Sequence, residues 1–416
     1  MEEEYVNKIL TAELEDSFLQ RKQMELDSLL EVTNAINRNA SERDLFQIYG
    51  FILKAQMQID RLIIFYCKEG AWDKVHSVGN IDDEHTGTSS ILPSWYDEKK
   101  VRFFESSNNI LPKGFQVLLP VFHKERPLAF VLLSELKVEM GEELESKVTF
   151  IKTITNIIIV AIENKRLFRK QLRQLQLGKE MELAKKMQTM LIPQKLPNDK
   201  TINLSAIYMP HFNIGGDYYD VLPIGEHKLL SCIADVSGKG ISAALLMANF
   251  QALLRVLGKE SKTLSELVEK INENVVEITQ GDRFITFFVA MYDRQSRNLT
   301  YVNAGHPPPI LFDGSNITKL NYGSTIIGAF DKLPQIEVKS LNIRKNSLLV
   351  MYTDGLTELT NQRGVFFDEV LLEDFILSKS FVNSSKFNEA LLSKLIKFKQ
   401  NRPFTDDITI LSWKFN

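Results

Sequence analysis

Cysteine is scarce in this chain, with only Cys67 and Cys232 in 416 residues. That excludes a disulfide framework and fits a reducing compartment. Histidine is also scarce, and His76, His85, His123, His211 and His227 show no metal-ligand spacing. Net charge is small, −3, so nothing biases the whole chain toward nucleic acid or an anionic membrane. Long apolar runs are missing. The most apolar stretch, near residues 154–162, is interrupted by Thr155 and Asn156 and is too short to span a bilayer. The start, Met1-Glu2-Glu3-Glu4, is acidic and has no signal-peptide pattern. No internal repeat or low-complexity tract is visible. The expectation is a cytoplasmic protein without membrane insertion or nucleic-acid binding. Its length fits two or three domains, and its 44% hydrophobic content fits substantial cores.

What is present lies mostly in the second half. Four short acidic motifs occur in order: Gly215-Gly216-Asp217-Tyr218-Tyr219-Asp220, Asp235-Val236-Ser237-Gly238-Lys239-Gly240, Thr353-Asp354-Gly355 and Thr405-Asp406-Asp407. Strand-like stretches adjoin them: 229–234 runs into Asp235, 347–352 into Asp354, and 408–411 leaves from Asp407. Acids at strand ends can meet at one edge of a sheet core. Converging carboxylates repel, and burying them without a cation is costly. A hard divalent cation with oxygen ligands resolves the conflict, and such centres commonly act on phosphate. Taken singly, each motif has an ordinary reading. Asp354-Gly355 is a turn signal, Gly215-Gly216-Asp217 a tight turn, Asp406-Asp407 a solvated loop, and Ser237-Gly238-Lys239-Gly240 a helix start. Their order and strand contexts favour one joint site.

This set resembles the SpoIIE-like, RsbU-like branch of the metal-dependent (PPM, type 2C) serine/threonine phosphatases. The resemblance runs from about residue 180 to the end. It includes Asn303-Ala304-Gly305-His306-Pro307-Pro308-Pro309 and the lead-in through Met187-Gln188 and Leu191-Ile192-Pro193. It implies an α+β protein whose catalytic domain is an α-β-β-α sandwich with two Mn²⁺ or Mg²⁺ ions between the sheets. By resemblance, Asp235 bridges both metals and Val236 adds a carbonyl ligand to the second. Asp354 and Asp406 serve the first metal, and Asp217 acts on the second through water. Asp235 and Asp217 are thereby the catalytic candidates. Asp220 and Asp407 sit beside the site with less defined roles. No counterpart of the eukaryotic branch's phosphate-gripping basic residue is found in Pro210-His211-Phe212-Asn213-Ile214. The implied chemistry is in-line attack of activated water on phosphorus, with no protein nucleophile. A cysteine mechanism has no support, since Cys67 leads into Lys68-Glu69-Gly70 rather than a loop ending in arginine, and Cys232 lies in an apolar strand. His306 is either a general acid for the leaving oxygen or a structural residue in a proline-stiffened turn.

The first half reads as an α+β module. Helical spacing covers 24–36 and 42–57, and strands are expected at 61–67, 72–78, 116–122 and 127–133. A polar stretch, 82–90, intervenes. Element order and strand texture resemble a GAF sensor domain with an unknown ligand; a ligand-free dimerisation module is the alternative. Residues 161–191 contain no proline and carry two seams, Phe168, Leu172, Leu175 and then Leu177, Ala184, Met187, Leu191, shifted like a coiled-coil stutter at Gly178. A basic run, Lys165, Arg166, Arg169, Lys170 and Arg173, reads as a solvated flank of that coil rather than a nucleic-acid patch.

The expected organisation is an N-terminal helix (1–24), a GAF-like sensor (25–160), a helical linker (161–197) and a PPM-type domain (198–416). The expected function is dephosphorylation of phosphoserine or phosphothreonine on a regulatory protein, such as an anti-sigma-factor antagonist of the STAS type, by a homodimer. Two alternatives are a nucleotide cyclase, prompted by Gly215-Gly216-Asp217, and a non-catalytic scaffold. The cyclase reading leaves Asp235, Asp354 and Asp406 without roles.

Overall fold

The computed structural model describes residues 2–68, 70–81, 95–96, 98–105, 110–137, 144–211, 214–378 and 380–416, with side chains from 16 onward except 17. The polar stretch 82–90 falls outside the described residues. The chain forms two compact units, Met1–Gln174 and Leu175–Asn416.

In the first unit, α1 (Glu2–Asn37) runs through residue 24 without a break. α2 (Glu42–Ala55) starts at a capping box, in which the Ser41 hydroxyl accepts from the Asp44 N–H and the Asp44 carboxylate accepts from the Ser41 N–H, both at 3.1 Å. Five strands follow: β1 (Leu62–Lys68), β2 (Ala71–Val78), β3 (Arg102–Phe103), β4 (Val117–His123) and β5 (Arg126–Leu133). They form one antiparallel sheet in the order β2-β1-β5-β4-β3. One face packs on α2 and on α3 (Leu144–Leu191), through Leu45, Tyr49, Ile52, Ile154 and Ile158. The other face carries an aromatic cluster of Phe65, Trp95, Phe115 and Phe130.

The basic run on α3 is partly structural. Lys165 Nζ donates to the carbonyls of Asn39 (2.9 Å) and Ala40 (2.7 Å), and Arg169 pairs with Glu42 at 3.3 Å. These bonds brace the turn between α1 and α2, a use that spacing along α3 did not reveal. Further along α3, Phe168, Leu172, Leu175, Leu177 and Met187 are exposed. Gly178 lies inside the helix with open space where a Cβ would sit.

The second unit is a sandwich of two sheets. Its strands are β6 (Ile202–Met209), β7 (Tyr218–Ile224), β8 (Lys228–Val236), β9 (Ile285–Asp293), β10 (Asn298–Ala304), β11 (Ile310–Phe312), β12 (Ile317–Lys319), β13 (Gly323–Ser324), β14 (Lys339–Asn342), β15 (Leu348–Tyr352) and β16 (Ile408–Phe415). Its helices are α4 (Ile241–Glu260), α5 (Leu264–Thr279), α6 (Asp354–Thr357), α7 (Glu369–Ser378) and α8 (Ser384–Lys399). One sheet runs β13-β10-β9-β8-β7, with β14 also on β10; the other runs β12-β11-β15-β16-β6. Ile233, Phe288, Met351, Leu411 and Trp413 fill the space between them. α4 and α5 cover the first sheet, and α7 and α8 cover the second. The result is the expected α-β-β-α sandwich.

α4, rather than the run at 154–162, is long and apolar enough to cross a membrane by length and composition. Here its Ala243, Met247, Phe250 and Leu254 face is buried on the sheet, which is what a core helix requires.

Candidate metal centre

Antiparallel pairing explains why the acids meet. β7 and β8 are antiparallel neighbours, so the start of one and the end of the other lie at the same edge. The same holds for the end of β15 and the start of β16. Asp217 precedes β7, Asp235 is the last residue but one of β8, Asp354 follows β15 and Asp406-Asp407 precede β16.

Asp217 is buried between the sheets. Its Oδ2 accepts from the hydroxyls of Thr353 (2.7 Å) and Thr409 (2.6 Å), both from the second sheet. The Thr409 N–H in turn donates to the Thr353 hydroxyl at 3.0 Å. Asp407 is fully part of the cluster: its Oδ1 accepts from the His211 N–H (2.7 Å) and its Oδ2 from the Gly216 N–H (2.8 Å). Asp406 Oδ2 takes Lys239 Nζ at 2.7 Å, and the same amine donates to the Thr405 carbonyl at 3.1 Å.

Two glycines make the packing possible. A Cβ on Gly355 would lie 1.9 Å from the Asp407 carbonyl oxygen, so close approach of backbone, rather than turn geometry, demands glycine there. A Cβ on Gly216 would lie 2.8 Å from the Val236 carbonyl oxygen and 3.5 Å from Asp235 Oδ1. That small space, bounded by a carbonyl and a carboxylate, is a cradle a side chain would fill.

The electrostatics of the acids suit a site that would take a counter-cation. Burial pushes the Asp217 carboxyl well above its usual range, helped by Asp235 and Asp407 and opposed by the two threonine hydroxyls. Burial, then Asp354, Asp406 and Asp407, raises Asp235 to about 7. Asp354 is raised by burial, Glu358 and Asp406, and Asp407 chiefly by burial. The Tyr208 hydroxyl is buried without a hydrogen-bond partner, and burial and the charges of Asp407 and Asp217 push its pKa up. Among the described residues, no three acids close on one point as a finished ligand shell. Uncompensated carboxylates instead lean on threonine hydroxyls, backbone N–H groups and Lys239. The donors are all oxygen, the acids crowd one another, and glycine leaves space among them. These features fit hard divalent cations.

Two residues have other jobs. Asp220 points to the helix layer rather than to the acids. Its Oδ2 is 2.8 Å from Arg255 Nε of α4 and accepts from the Tyr218 hydroxyl at 2.6 Å. The alternation of side chains on β7 sends Asp217 inward and Asp220, three positions on, outward. His306 is structural. Its Nε2 lies 3.1 Å from the Tyr352 carbonyl and Nδ1 2.9 Å from the Thr286 hydroxyl, and burial lowers its pKa to about 3. A neutral imidazole with both nitrogens engaged is not placed to protonate a leaving group. Cys232 is buried, and burial raises its thiol pKa, as a core residue requires.

Gln188 belongs to the segment before Leu191-Ile192-Pro193, and nothing in its spacing signals its contact. From α3, its Nε2 donates to the Gly215 carbonyl at 2.7 Å and its Oε1 accepts from the Gly215 N–H at 3.0 Å. Thr409 and Tyr208 were also missed, because nothing in their spacing marks them.

Two sheets with helices outside and carboxylates at one edge define a phosphatase-type sandwich. The solved SiaA-PP2C domain of Pseudomonas aeruginosa has the same fold, with TM-score 0.52, 19% identity, and coverage of 59% of this chain and 99% of that one. The protein-family profile described as Stage II sporulation protein E (SpoIIE) matches residues 225–416, which include Asp235, Val236, Asp354 and Asp406. Phosphoserine phosphatase RsbU of Bacillus subtilis is 26% identical over 240 residues, covering 57% of this chain and 70% of RsbU. Protein IcfG of Synechocystis sp. is 26% identical over 261 residues, and the match covers 56% of this chain but only 41% of IcfG. The second unit therefore carries a SpoIIE-type domain of the RsbU-like branch of PPM phosphatases. A nucleotide cyclase is not the fold found.

Proposed function

We propose that the chain is a metal-dependent phosphoprotein phosphatase acting on phosphoserine or phosphothreonine in a regulatory protein. The observation that carries this reading is the meeting of Asp217, Asp235, Asp354, Asp406 and Asp407 at one edge of both sheets. Asp235 would bridge two cations, with the Val236 carbonyl on the second, Asp354 and Asp406 on the first, and Asp217 acting on the second through water. When bound, Mn²⁺ or Mg²⁺ would supply a lowered water pKa and neutralise charge on the phosphoryl oxygens. The chain's own part is to hold the acids together and aim them. Thr353 and Thr409 keep Asp217 an acceptor, the N–H groups of His211 and Gly216 orient Asp407, and Lys239 steadies Asp406.

A STAS-type antagonist is the substrate we favour by resemblance, and the first unit is read as a GAF-like sensor. Its antiparallel sheet flanked by α2 and α3 supports that reading. A parallel homodimer through the exposed apolar seams of α3, in the cytoplasm, completes the proposal. The test is hydrolysis of a phosphoserine protein by the full chain with Mn²⁺ or Mg²⁺ and with EDTA. Loss of turnover in EDTA and in Asp235→Asn is expected; unchanged turnover in both would overturn the metal reading.

A further inference from the structure

Lys239 stands in the short loop between β8 and α4, a base set against the acid cluster. Its neighbours Gly238 and Gly240 both take positive φ, +99° and +72°, a backbone that glycine adopts without strain. The loop is pinned to the start of β9. The Ser237 N–H donates to the Phe284 carbonyl at 2.9 Å, and the Ser237 hydroxyl accepts from the Phe284 N–H at 3.0 Å. Arg283 Nη1 donates to the Ser237 carbonyl at 3.3 Å. From this fixed base the Lys239 side chain crosses to the segment before β16. There its Nζ donates to Asp406 Oδ2 at 2.7 Å and to the Thr405 carbonyl at 3.1 Å.

An ammonium carries three N–H donors. Two are engaged, and among the described residues no third partner takes the remaining one. The side chain is 49% exposed, against 32% for Asp406, while Asp217 is buried. Lys239 therefore lies on the solvent side of the acids, where a phosphoprotein would approach. The bond to Asp406, and the charges of Asp406, Asp407 and Asp354, favour the protonated amine. Two anchors already restrict this long side chain, so little rotamer freedom is left to lose when a ligand binds. Bracing of Asp406 uses two donors; it leaves the third, with its charge, facing out.

Resting on the phosphatase reading, we propose that Lys239 binds the phosphoryl group of the substrate directly. Its third N–H donates to a non-bridging phosphoryl oxygen, while Asp406 and the Thr405 carbonyl hold the amine in position. A compact ammonium meets a phosphoryl oxygen as a point charge and asks for no planar fork. Lys239 is then a phosphate-binding residue of the acid edge, beyond its bracing of Asp406.

The experiment uses the full chain saturated with Mn²⁺. Isothermal titration with inorganic phosphate reads binding without turnover, and hydrolysis of a phosphoserine protein is followed in parallel. Lys239→Met, at an exposed position, should weaken phosphate binding about tenfold, the scale of one lost charge-assisted contact. It should lower kcat/KM by a similar factor. Lys239→Arg, which keeps the charge, should recover most of both. Mn²⁺ titration of the phosphate-free variants separates this role from bracing. If Lys239 only braces Asp406, Lys239→Met binds Mn²⁺ more weakly but, once saturated, binds phosphate as wild type does. That result would overturn the proposal, as would equally weak phosphate binding by Lys239→Arg and Lys239→Met. A wild-type chain that neither hydrolyses the phosphoprotein nor binds phosphate with Mn²⁺ would overturn the phosphatase reading, and this proposal with it. Circular dichroism checks that the variants remain folded.

Discussion

Gln188 grips both polar groups of Gly215, donating to its carbonyl at 2.7 Å and accepting from its N–H at 3.0 Å. A side-chain amide at the end of α3 thus pairs with the backbone as a neighbouring strand would. The next two residues are Gly216, whose N–H holds Asp407, and Asp217. Removing the amide leaves two buried backbone groups unpaired. Gln188→Ala should cost about 1–3 kcal/mol and weaken Mn²⁺ binding, read by thermal denaturation and calorimetric metal titration. Unchanged melting and metal affinity would show that the contact carries nothing.

Asp235 and Asp220 should separate function from stability. Asp235→Asn should abolish turnover while leaving the metal-free fold at least as stable, because it removes one of several buried like charges. Asp220→Asn should retain most turnover per folded molecule. It should cost about 1–3 kcal/mol, because it weakens the bonds from Arg255, Tyr218 and the Val221 N–H. Urea denaturation and phosphoserine hydrolysis measured on the same preparations decide the matter; an inactive, fully stable Asp220→Asn would contradict it.

Two glycine substitutions should have opposite signs. Gly178→Ala adds a Cβ to open space inside α3 and should stabilise that helix by about 1 kcal/mol. Gly355→Ala drives a Cβ against the Asp407 carbonyl and should destabilise the second unit by about 1–3 kcal/mol. It should also lower metal affinity by displacing Asp406 and Asp407. Differential scanning calorimetry of the full chain reads both.

His306 should leave a pH signature. Its folded pKa, about 3, lies below the ordinary value of 6.5. The unfolded chain therefore binds a proton that the native state refuses. The contribution of neutral His306 is complete above about pH 6.5 and is lost as pH falls toward 3, at no more than about 1.4 kcal/mol per pH unit. The raised carboxyl pKa of Asp235 works the other way, weakening the metal-free fold as pH rises through about 7. The difference between wild type and His306→Gln cancels the acids. That difference should shrink steadily from pH 6.5 to pH 4; a constant difference would place His306 in solvent.

The α3 seams should mediate a dimer. Phe168, Leu172, Leu175 and Leu177 are about half exposed or more, an unusual cost for one helix to leave uncovered. Light scattering should give a dimer for the full chain, and Leu172→Glu with Leu175→Glu should shift it to monomer without loss of helix content. A wild-type monomer at the same concentration would reduce α3 to a linker.

The order of the acidic motifs, their place at strand ends and the demand for a hard cation follow from local patterns alone. Hydrophobic runs set the strands, and β15 and β16 lie where apolar residues lead up to Asp354 and away from Asp407. The end of α3 before Pro193 was equally local. Which acids share the site was not. Asp217 finds Thr353 and Thr409, 136 and 192 residues away, only when the two sheets stack. Asp220 leaves the cluster and Asp407 joins it because strand phase, set by pairing with β8 and by the backbone packed at Gly355, decides which way each side chain points. His306 lost its catalytic option when burial and two fixed partners closed around it. Local sequence dictates secondary structure and candidate chemistry through short-range sterics and periodicity. Convergence depends on register, burial and the partners that distant segments bring, and those exist only in the packed molecule.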